Sequence, residues 1–437
     1  MSPRRPDSLD VFLDSQRVGE LTDLPDGRVG FAYDDEYRDG RASMPVSMSL
    51  PLSAERHEPA VVSAYLWGLL PDNEDTVQRL ALEAGTSGRD LYGLMAYVGR
   101  DTAGALVIVP RGEDPDQGSA VEPITDSRLA QLVAEVRRLQ RRGGAARLAT
   151  GRWSLPGAQG KLALRYADGR WGVPRGSEPT THILKPAVDG FDDFDLVEAI
   201  ALNAASMLGL PAAGATVLRL TDDTTVLVSA RYDRRRLADG RWVRLHQEDL
   251  CQALGVHPSR KYEDQGGPGL ARVGRLLAQL GAAQSRDSAL RMFDALAFTY
   301  AIANTDGHAK NYSLLLPGPA ATLAPLYDVG SALPYTRPFG RKFDSVRKLH
   351  AAVRHGRVRA FTRIDAAGWS TVAEQLGLDP DMALDRVRHL LSEAPAAMTR
   401  ASDELAARLD RPTSIPWGDL LVQYRDQLHP SVTDGVD

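Results

Sequence analysis

The chain has 437 residues, 43% of them hydrophobic and 25% charged, with a formal net charge of −5. That length allows more than one core, so one large domain with a smaller one is the natural partition. The acidic balance excludes a protein that coats nucleic acid by itself, the lone Cys251 excludes an intrachain disulfide, and no apolar run reaches the roughly eighteen residues of a membrane span; a cytoplasmic protein is expected.

In chain order, Val11-Phe12-Leu13-Asp14 and Val29-Gly30-Phe31-Ala32-Tyr33, parted by the turn Pro25-Asp26-Gly27, predict a small antiparallel sheet. A helix is expected over 60–70. The Gly/Pro/Asp-rich stretch 111–120 reads as a boundary, which makes 1–112 an accessory domain and 113–149 a linker and helix leading into the core. Within that linker, 126–138 has amphipathic spacing and a cap at Thr125 or Asp126. Arginines cluster at Arg137, Arg138, Arg141 and Arg142, and again at Arg234, Arg235 and Arg236. A phosphate-binding patch and an ordinary solvated face are both open for them.

Ser154-Leu155-Pro156-Gly157-Ala158-Gln159-Gly160-Lys161 has the small residues of a loop whose backbone amides approach phosphate oxygens. It lacks Walker A spacing and the Gly-x-Gly-x-x-Gly of ordinary protein kinases, so a plain turn explains it equally well. Lys185 ends the strand-like run Thr181-His182-Ile183-Leu184 and is the candidate phosphate-binding lysine. Glu198, on a helix-like run over 196–208, is its candidate ion-pair partner, because kinases hold a strand lysine against the α- and β-phosphates with a helix glutamate. For either residue alone, a solvated surface charge is the plainer reading. Cys251 sits among apolar neighbours as a small filler.

Helical patterns over 271–280 and 288–303 lead to Asn304-Thr305-Asp306-Gly307-His308-Ala309-Lys310-Asn311. Asp306 and Asn311 have the Asp-x-x-x-x-Asn spacing of a kinase catalytic loop, in which the Asp accepts the hydroxyl proton and the Asn holds magnesium. Asp328-Val329-Gly330 reads as a variant of Asp-Phe-Gly, whose carboxylate also meets magnesium. Two short apolar runs, 312–316 and 321–326, joined by Pro317-Gly318-Pro319, would bring Asn311 and Asp328 to one end of a hairpin. Asn-Thr-Asp-Gly alone could be a turn; the ordered set of loop, lysine, glutamate, base and two metal ligands predicts a phosphotransferase using ATP and Mg2+. Helices are expected over 371–375 and 382–409, and 431–437 as a loose tail. The histidines show no metal-ligand spacing with the cysteine.

The loop at 154–161, His182-Ile183-Leu184-Lys185-Pro186, Gln247-Glu248-Asp249-Leu250-Cys251-Gln252-Ala253, Lys261-Tyr262-Glu263, Gly266-Gly267-Pro268-Gly269, the stretch 305–311 and Tyr327-Asp328 occur in one order between 150 and 330. In that order they resemble the HipA family of toxin serine/threonine kinases. Leu66-Trp67-Gly68-Leu69-Leu70-Pro71-Asp72-Asn73 and Gly99-Arg100-Asp101-Thr102-Ala103-Gly104-Ala105-Leu106 are similar to the small domain preceding the core in full-length members. The resemblance implies an α+β, protein-kinase-like, HipA-type two-lobed core with a small N-terminal β-rich accessory domain. Residues 150–235 would be the β-rich nucleotide lobe and 236–430 the helical catalytic lobe.

The same resemblance implies that Asp306 is the catalytic base and that Asn311 and Asp328 are the magnesium ligands. It implies nucleotide contacts from Pro156, Gly157, Ala158, Gln159, Gly160, Lys161 and Lys185, from a hinge at Ala230-Arg231-Tyr232, and from His308, Lys310 and Tyr327. Ser154 would be the autophosphorylation site, where added phosphate disfavours ATP by charge repulsion. Other members often carry acidic residues at the positions of Gly160 and Ala230. An aminoacyl-tRNA synthetase, glutamyl-type in the best-known case, is the implied substrate, with translation arrest as the outcome. A HipB-type helix-turn-helix antitoxin is the implied partner, through which DNA is met. Two rival readings are a silent kinase fold acting as corepressor and a small-molecule kinase.

Overall fold

The computed structural model describes residues 5–436 apart from 42, 143–155, 158, 189, 319, 338 and 341. The chain divides into two compact units, the first made of 1–186, 220–260 and 314–321, the second of 187–219, 261–313 and 322–437. Among the described residues, no helix is long and apolar enough to cross a membrane.

The first unit begins with an antiparallel sheet in the order β3-β2-β1-β4, from β1 (Ser8–Leu13), β2 (Gln16–Asp23), β3 (Val29–Tyr33) and β4 (Leu106–Pro110). Leu9, Val11 and Leu13 alternate with Val29, Phe31 and Tyr33 into one apolar core. Helices α1 (Pro59–Leu69), α2 (Glu74–Ala84) and α3 (Leu91–Val98) contribute Tyr65, Leu66, Leu69, Val77, Leu94 and Met95 to it. Local chemistry sets their ends: Pro59 opens α1, Asn73 caps α2 by accepting from Thr76 N–H, and Gly85 closes it in the left-handed region.

Further along, β5 (Ala120–Pro123), β6 (Leu162–Ala167), β7 (Arg170–Arg175), β8 (His182–Pro186) and β9 (Thr225–Ala230) pair antiparallel in the order β5-β7-β6-β8-β9. Helix α4 (Asp126–Arg142) packs against β6 and β8. It buries Leu129, Leu132, Val133, Val136 and Leu139, an i, i+3, i+4 stripe, and Thr125 caps it by accepting from Arg128 N–H.

A buried ionic cluster ties the turn after α3 to the segment after β9. The Asp101 carboxylate accepts from Arg234 Nη2 at 3.0 Å and Thr180 Oγ1 at 2.8 Å, with Arg244 at 3.4 Å and Arg231 at 3.8 Å. Asp233 accepts from Arg231, Arg234 and the Gly104 N–H at 2.7, 2.9 and 2.7 Å. Burial pushes both carboxyls up, but the guanidiniums override it and hold both below the usual range. Close by in the chain, Glu248 accepts from Ser47 Oγ and the Met48 N–H, and burial pushes its carboxyl up to about 8.

The second unit is mainly helical: α5 (Phe194–Met207), α6 (Leu270–Leu277), α7 (Ala282–Ala301), α8 (Ala366–Gln375), α9 (Ala383–Leu409) and α10 (Trp417–Arg425). Helix α9 packs on α5, α7 and α10. Its core holds Phe293, Tyr300, Phe361, Trp369, Trp417 and Tyr424, and the Tyr424 hydroxyl donates to Tyr300 O at 2.8 Å. A Cβ on Gly274 would lie 1.9 Å from Gln375 O, so the α6 backbone sits directly on the end of α8.

The small antiparallel sheet expected from 11–14 and 29–33 is present, with a further strand inside it: β2 lies between β1 and β3 and pairs with both. Its sequence, QRVGELTD, is polar enough to hide a strand that buries only Val18, Gly19 and Leu21. The stretch 111–120 connects β4 to β5 within the first unit, which also takes in 220–260. One expectation needs correction. Residues 431–433 are not a loose tail: Pro430–Thr433 is a helical turn with Val432 buried, and Arg388 donates to the carbonyls of Ser431 and Val432.

Candidate active site

Helix α7 delivers the Asp306 loop. Ala303, at a left-handed φ of 52°, turns the chain out of the helix, and Asn304 N–H donates back to Thr299 O at 2.8 Å. Asn304 Oδ1 then accepts from Asp306 N–H at 2.9 Å, a local turn bond that Asn is suited to make. The Asp306 side chain is 62% exposed. Its Oδ1 accepts a hydrogen bond from the Tyr262 hydroxyl and lies 3.8 Å from His308 Nε2. The His308 and Tyr262 rings meet edge to face at 4.8 Å and 84°.

The loop closes in a single 3-10 turn, Ala309–Asn311. Asn311 Nδ2 donates to Asp306 O at 2.7 Å, which leaves the amide oxygen turned the other way. The strands Ser313–Leu315 and Thr322–Leu323 follow. Ala324 N–H donates to Ser313 O at 2.8 Å, and the Tyr327 hydroxyl meets Lys310 O at 2.7 Å and Ser313 Oγ at 2.6 Å. Leu326 is bracketed by Pro211 and Ala213 through two 2.8 Å backbone bonds. Asp328 follows, half-buried and at a left-handed φ of 53°, which is uncommon for a residue with a Cβ. Asp306, His308, Lys310, Asn311, Tyr327 and Asp328 thus belong to two segments of the second unit, joined through the Tyr327 hydroxyl.

The donors fit a hard cation. Asn311 Oδ1 and the Asp328 carboxylate are oxygen donors of the kind magnesium takes, alongside water and phosphate. Among the described residues, no group of three His, Cys, Asp or Glu side chains lies together as a metal site.

The remaining candidates lie in the first unit, except Glu198 on α5. Lys185 and Glu198 are both buried, at 4% and 2% exposure, so neither is the solvated surface charge that each would be by default. Lys185 is paired across β8 and β9 with Leu227. In the loop, Lys161 Nζ donates to Pro156 O at 2.6 Å and Gln159 Nε2 to Pro186 O at 2.9 Å. Gly157 has a φ of 109°, a backbone conformation that favours glycine. Gly160 is half-buried beside it, while Ser154 and Ala158 lie outside the described residues. Ala230 pairs with His182, and Arg231 N–H donates to Thr181 O at 2.9 Å. The Arg231 guanidinium is engaged by Asp233, Thr180 and the Thr102 carbonyl. The Tyr232 hydroxyl donates to Gln247 Oε1.

The HipA N-terminal domain model matches residues 9–109 and the HipA-like C-terminal domain model matches 153–398. The chain belongs to the HipA family. A Sinorhizobium fredii protein provisionally named a kinase, Y4mE, is 33% identical over 403 residues, covering 91% of this chain and 92% of that one. The Shewanella oneidensis serine/threonine-protein kinase toxin HipA is 28% identical over 344 residues, 76% of each chain. The solved complex of Shewanella oneidensis MR-1 HipA with HipB and operator DNA superimposes with a TM-score of 0.78 at 23% identity, covering 97% of this chain and 96% of that one. The chain therefore has the HipA-type α+β fold expected from its motifs.

Within this HipA-family site, one neighbour escaped the sequence reading. Tyr262 was visible only as part of a motif, and nothing local pointed to its bond with Asp306.

Proposed function

We propose that this HipA-family protein is a serine/threonine protein kinase that transfers the γ-phosphoryl group of Mg-ATP to a protein hydroxyl. The observation that carries the reading is the Asp306 loop, where an exposed, hydrogen-bonded carboxylate shares its turn with Asn311, whose amide donates to the Asp306 carbonyl. Asp306 would accept a hydrogen bond from the acceptor hydroxyl, orient it and take its proton. Asn311 and Asp328 would hold magnesium, which when bound neutralises phosphate charge. Lys185 would meet the nucleotide phosphates, with Glu198 as its expected partner. The main chain at 230–232 would face adenine, and 156–161 would cover the phosphates together with His308, Lys310 and Tyr327.

The family likeness supports three finer readings. An aminoacyl-tRNA synthetase, such as the glutamyl type, is the substrate, so that transfer arrests translation. Phosphorylation of Ser154 silences the enzyme. A HipB-type antitoxin neutralises it and carries the contact with DNA, a reading supported by the Shewanella HipA complex with HipB and operator DNA.

The test is the intact mass of the purified chain before and after Mg-ATP, with Asp306→Asn alongside. The wild type should gain phosphate on Ser154, and Asp306→Asn should lose transfer by roughly 100- to 10,000-fold while still binding nucleotide. Equal labelling of both proteins would remove Asp306 as the base. No labelling of either, even with candidate synthetases added, would favour the silent corepressor.

A further inference from the structure

We propose that Tyr262 is the positioning residue for Asp306, fixing its carboxylate for the acceptor hydroxyl; this rests on the kinase reading above. The need is physical. A carboxylate with 62% side-chain exposure is only weakly restrained by packing, and transfer chemistry is sensitive to misplacements of about an ångström. The Tyr262 hydroxyl supplies the missing restraint by donating to Oδ1, which leaves Oδ2 to receive the acceptor hydroxyl.

Tyr262 can do this because it is itself held from several sides. Its ring meets the buried His308 edge to face, and Lys261 Nζ stands 5.6 Å from the ring centre. Ala309 N–H donates to Lys261 O at 3.2 Å, joining the backbone before the tyrosine to the turn after the base. Tyr262 O accepts from Gln265 N–H at 3.1 Å and Gly267 N–H at 2.9 Å, a tight reversal made possible by Gly266 at φ 84°.

The next two residues are fastened to the hairpin of His350–His355 and Val358–Ala360. Glu263 Oε2 accepts from Arg354 N–H at 2.6 Å, Asp264 pairs with Arg359, and Arg359 Nε donates to Ala351 O at 2.8 Å. The position of the hydroxyl is therefore set by a scaffold outside the Asp306 loop. That is the property a positioning group needs.

Tyr262→Phe removes only the hydroxyl and keeps the ring against His308. In the full chain, the single-turnover rate of self-phosphorylation at saturating Mg-ATP should fall roughly 10- to 100-fold. Affinity for the non-hydrolysable analogue AMP-PNP and the melting temperature should not move. Replacing Tyr262 with 4-aminophenylalanine, which restores a donor at the same place, should recover part of the rate. A rate unchanged in Tyr262→Phe overturns the proposal, and so does a faster one, which would show the hydroxyl blocking the acceptor's place. If the wild type labels neither itself nor a candidate synthetase, the kinase reading fails, and crystal structures of wild type and Tyr262→Phe still decide the positioning role. An Asp306 carboxylate ordered in the same place in both overturns it; order lost only in the variant supports it.

Discussion

Asp101→Asn should destabilise the protein far more than most single substitutions. The carboxylate lies within 4 Å of three guanidiniums, those of Arg234, Arg244 and Arg231 at 3.0, 3.4 and 3.8 Å, and none of these four side chains is more than 6% exposed. Asparagine keeps a partner for the Thr180 hydroxyl but leaves Asp233 alone to balance three buried cations. Removing one partner from a buried ionic group costs about 3–5 kcal/mol, because the charge left behind has lost both water and counter-charge. For a unit of this size that is a fall of roughly 6–20 °C in melting temperature, read by scanning calorimetry or tryptophan fluorescence. The pH dependence is a second check. The folded carboxyl sits below its unfolded value, so its contribution is complete above about pH 3.9 and lost only as pH falls through the folded value. The deficit of the variant should therefore be the same at pH 5.5 and 8. A melting temperature within about 2 °C of wild type would refute the reasoning, since the arginines would then have found solvent or another partner.

Two more outcomes concern the same unit. Glu248, pushed up to about 8 by burial, lies above its unfolded value, so its contribution is complete below about pH 4.5 and lost as pH rises through the folded value. Glu248→Gln removes that slope and should gain on wild type in urea midpoint between pH 5 and 8; a constant difference across that range would count against it. Gly104→Ala should cost at least roughly 1–3 kcal/mol, because Gly104 has a φ of 76° and a Cβ would stand 2.7 Å from Gln247 N and 2.9 Å from Gln247 O. A thermal melt equal to wild type would show that the backbone gives way there.

The part of the site that is legible in the sequence is the part made by near neighbours. Asp306 and Asn311 are joined by a bond spanning one short loop, and Tyr327 reaches back only to Lys310 and Ser313. Spacing carries that information. Tyr262 reaches Asp306 from 44 residues upstream, and Arg234 reaches Asp101 across 133; no periodicity encodes such pairs. Composition misleads in the same way, since Lys185 and Glu198 look like surface charges until a fold buries them. Strand β2 was hidden for the converse reason, being polar in sequence yet hydrogen-bonded on both sides.

The polar stretch at 111–120 shows why a break in composition need not be a break in the physics. Chain polarity reports where the backbone meets water, and that stretch does, with most of it exposed. Cohesion is decided elsewhere, by what each side of the break needs from the other. Residues before it supply Asp101 to three arginines at 231, 234 and 244, and supply the Ser47 hydroxyl and the Met48 N–H to the buried Glu248. The Gln252 amide donates to Tyr65 O at 3.0 Å, and a Cβ on Gly68 would stand 2.6 Å from its side chain. An apolar seam at such a place could be replaced by another apolar seam, but buried charges and amides accept only partners of matching geometry. The two stretches of sequence that family models treat separately are therefore committed to each other by polar groups that neither could leave unmatched, and the segment after β9 inherits its position from residues more than a hundred places earlier in the chain.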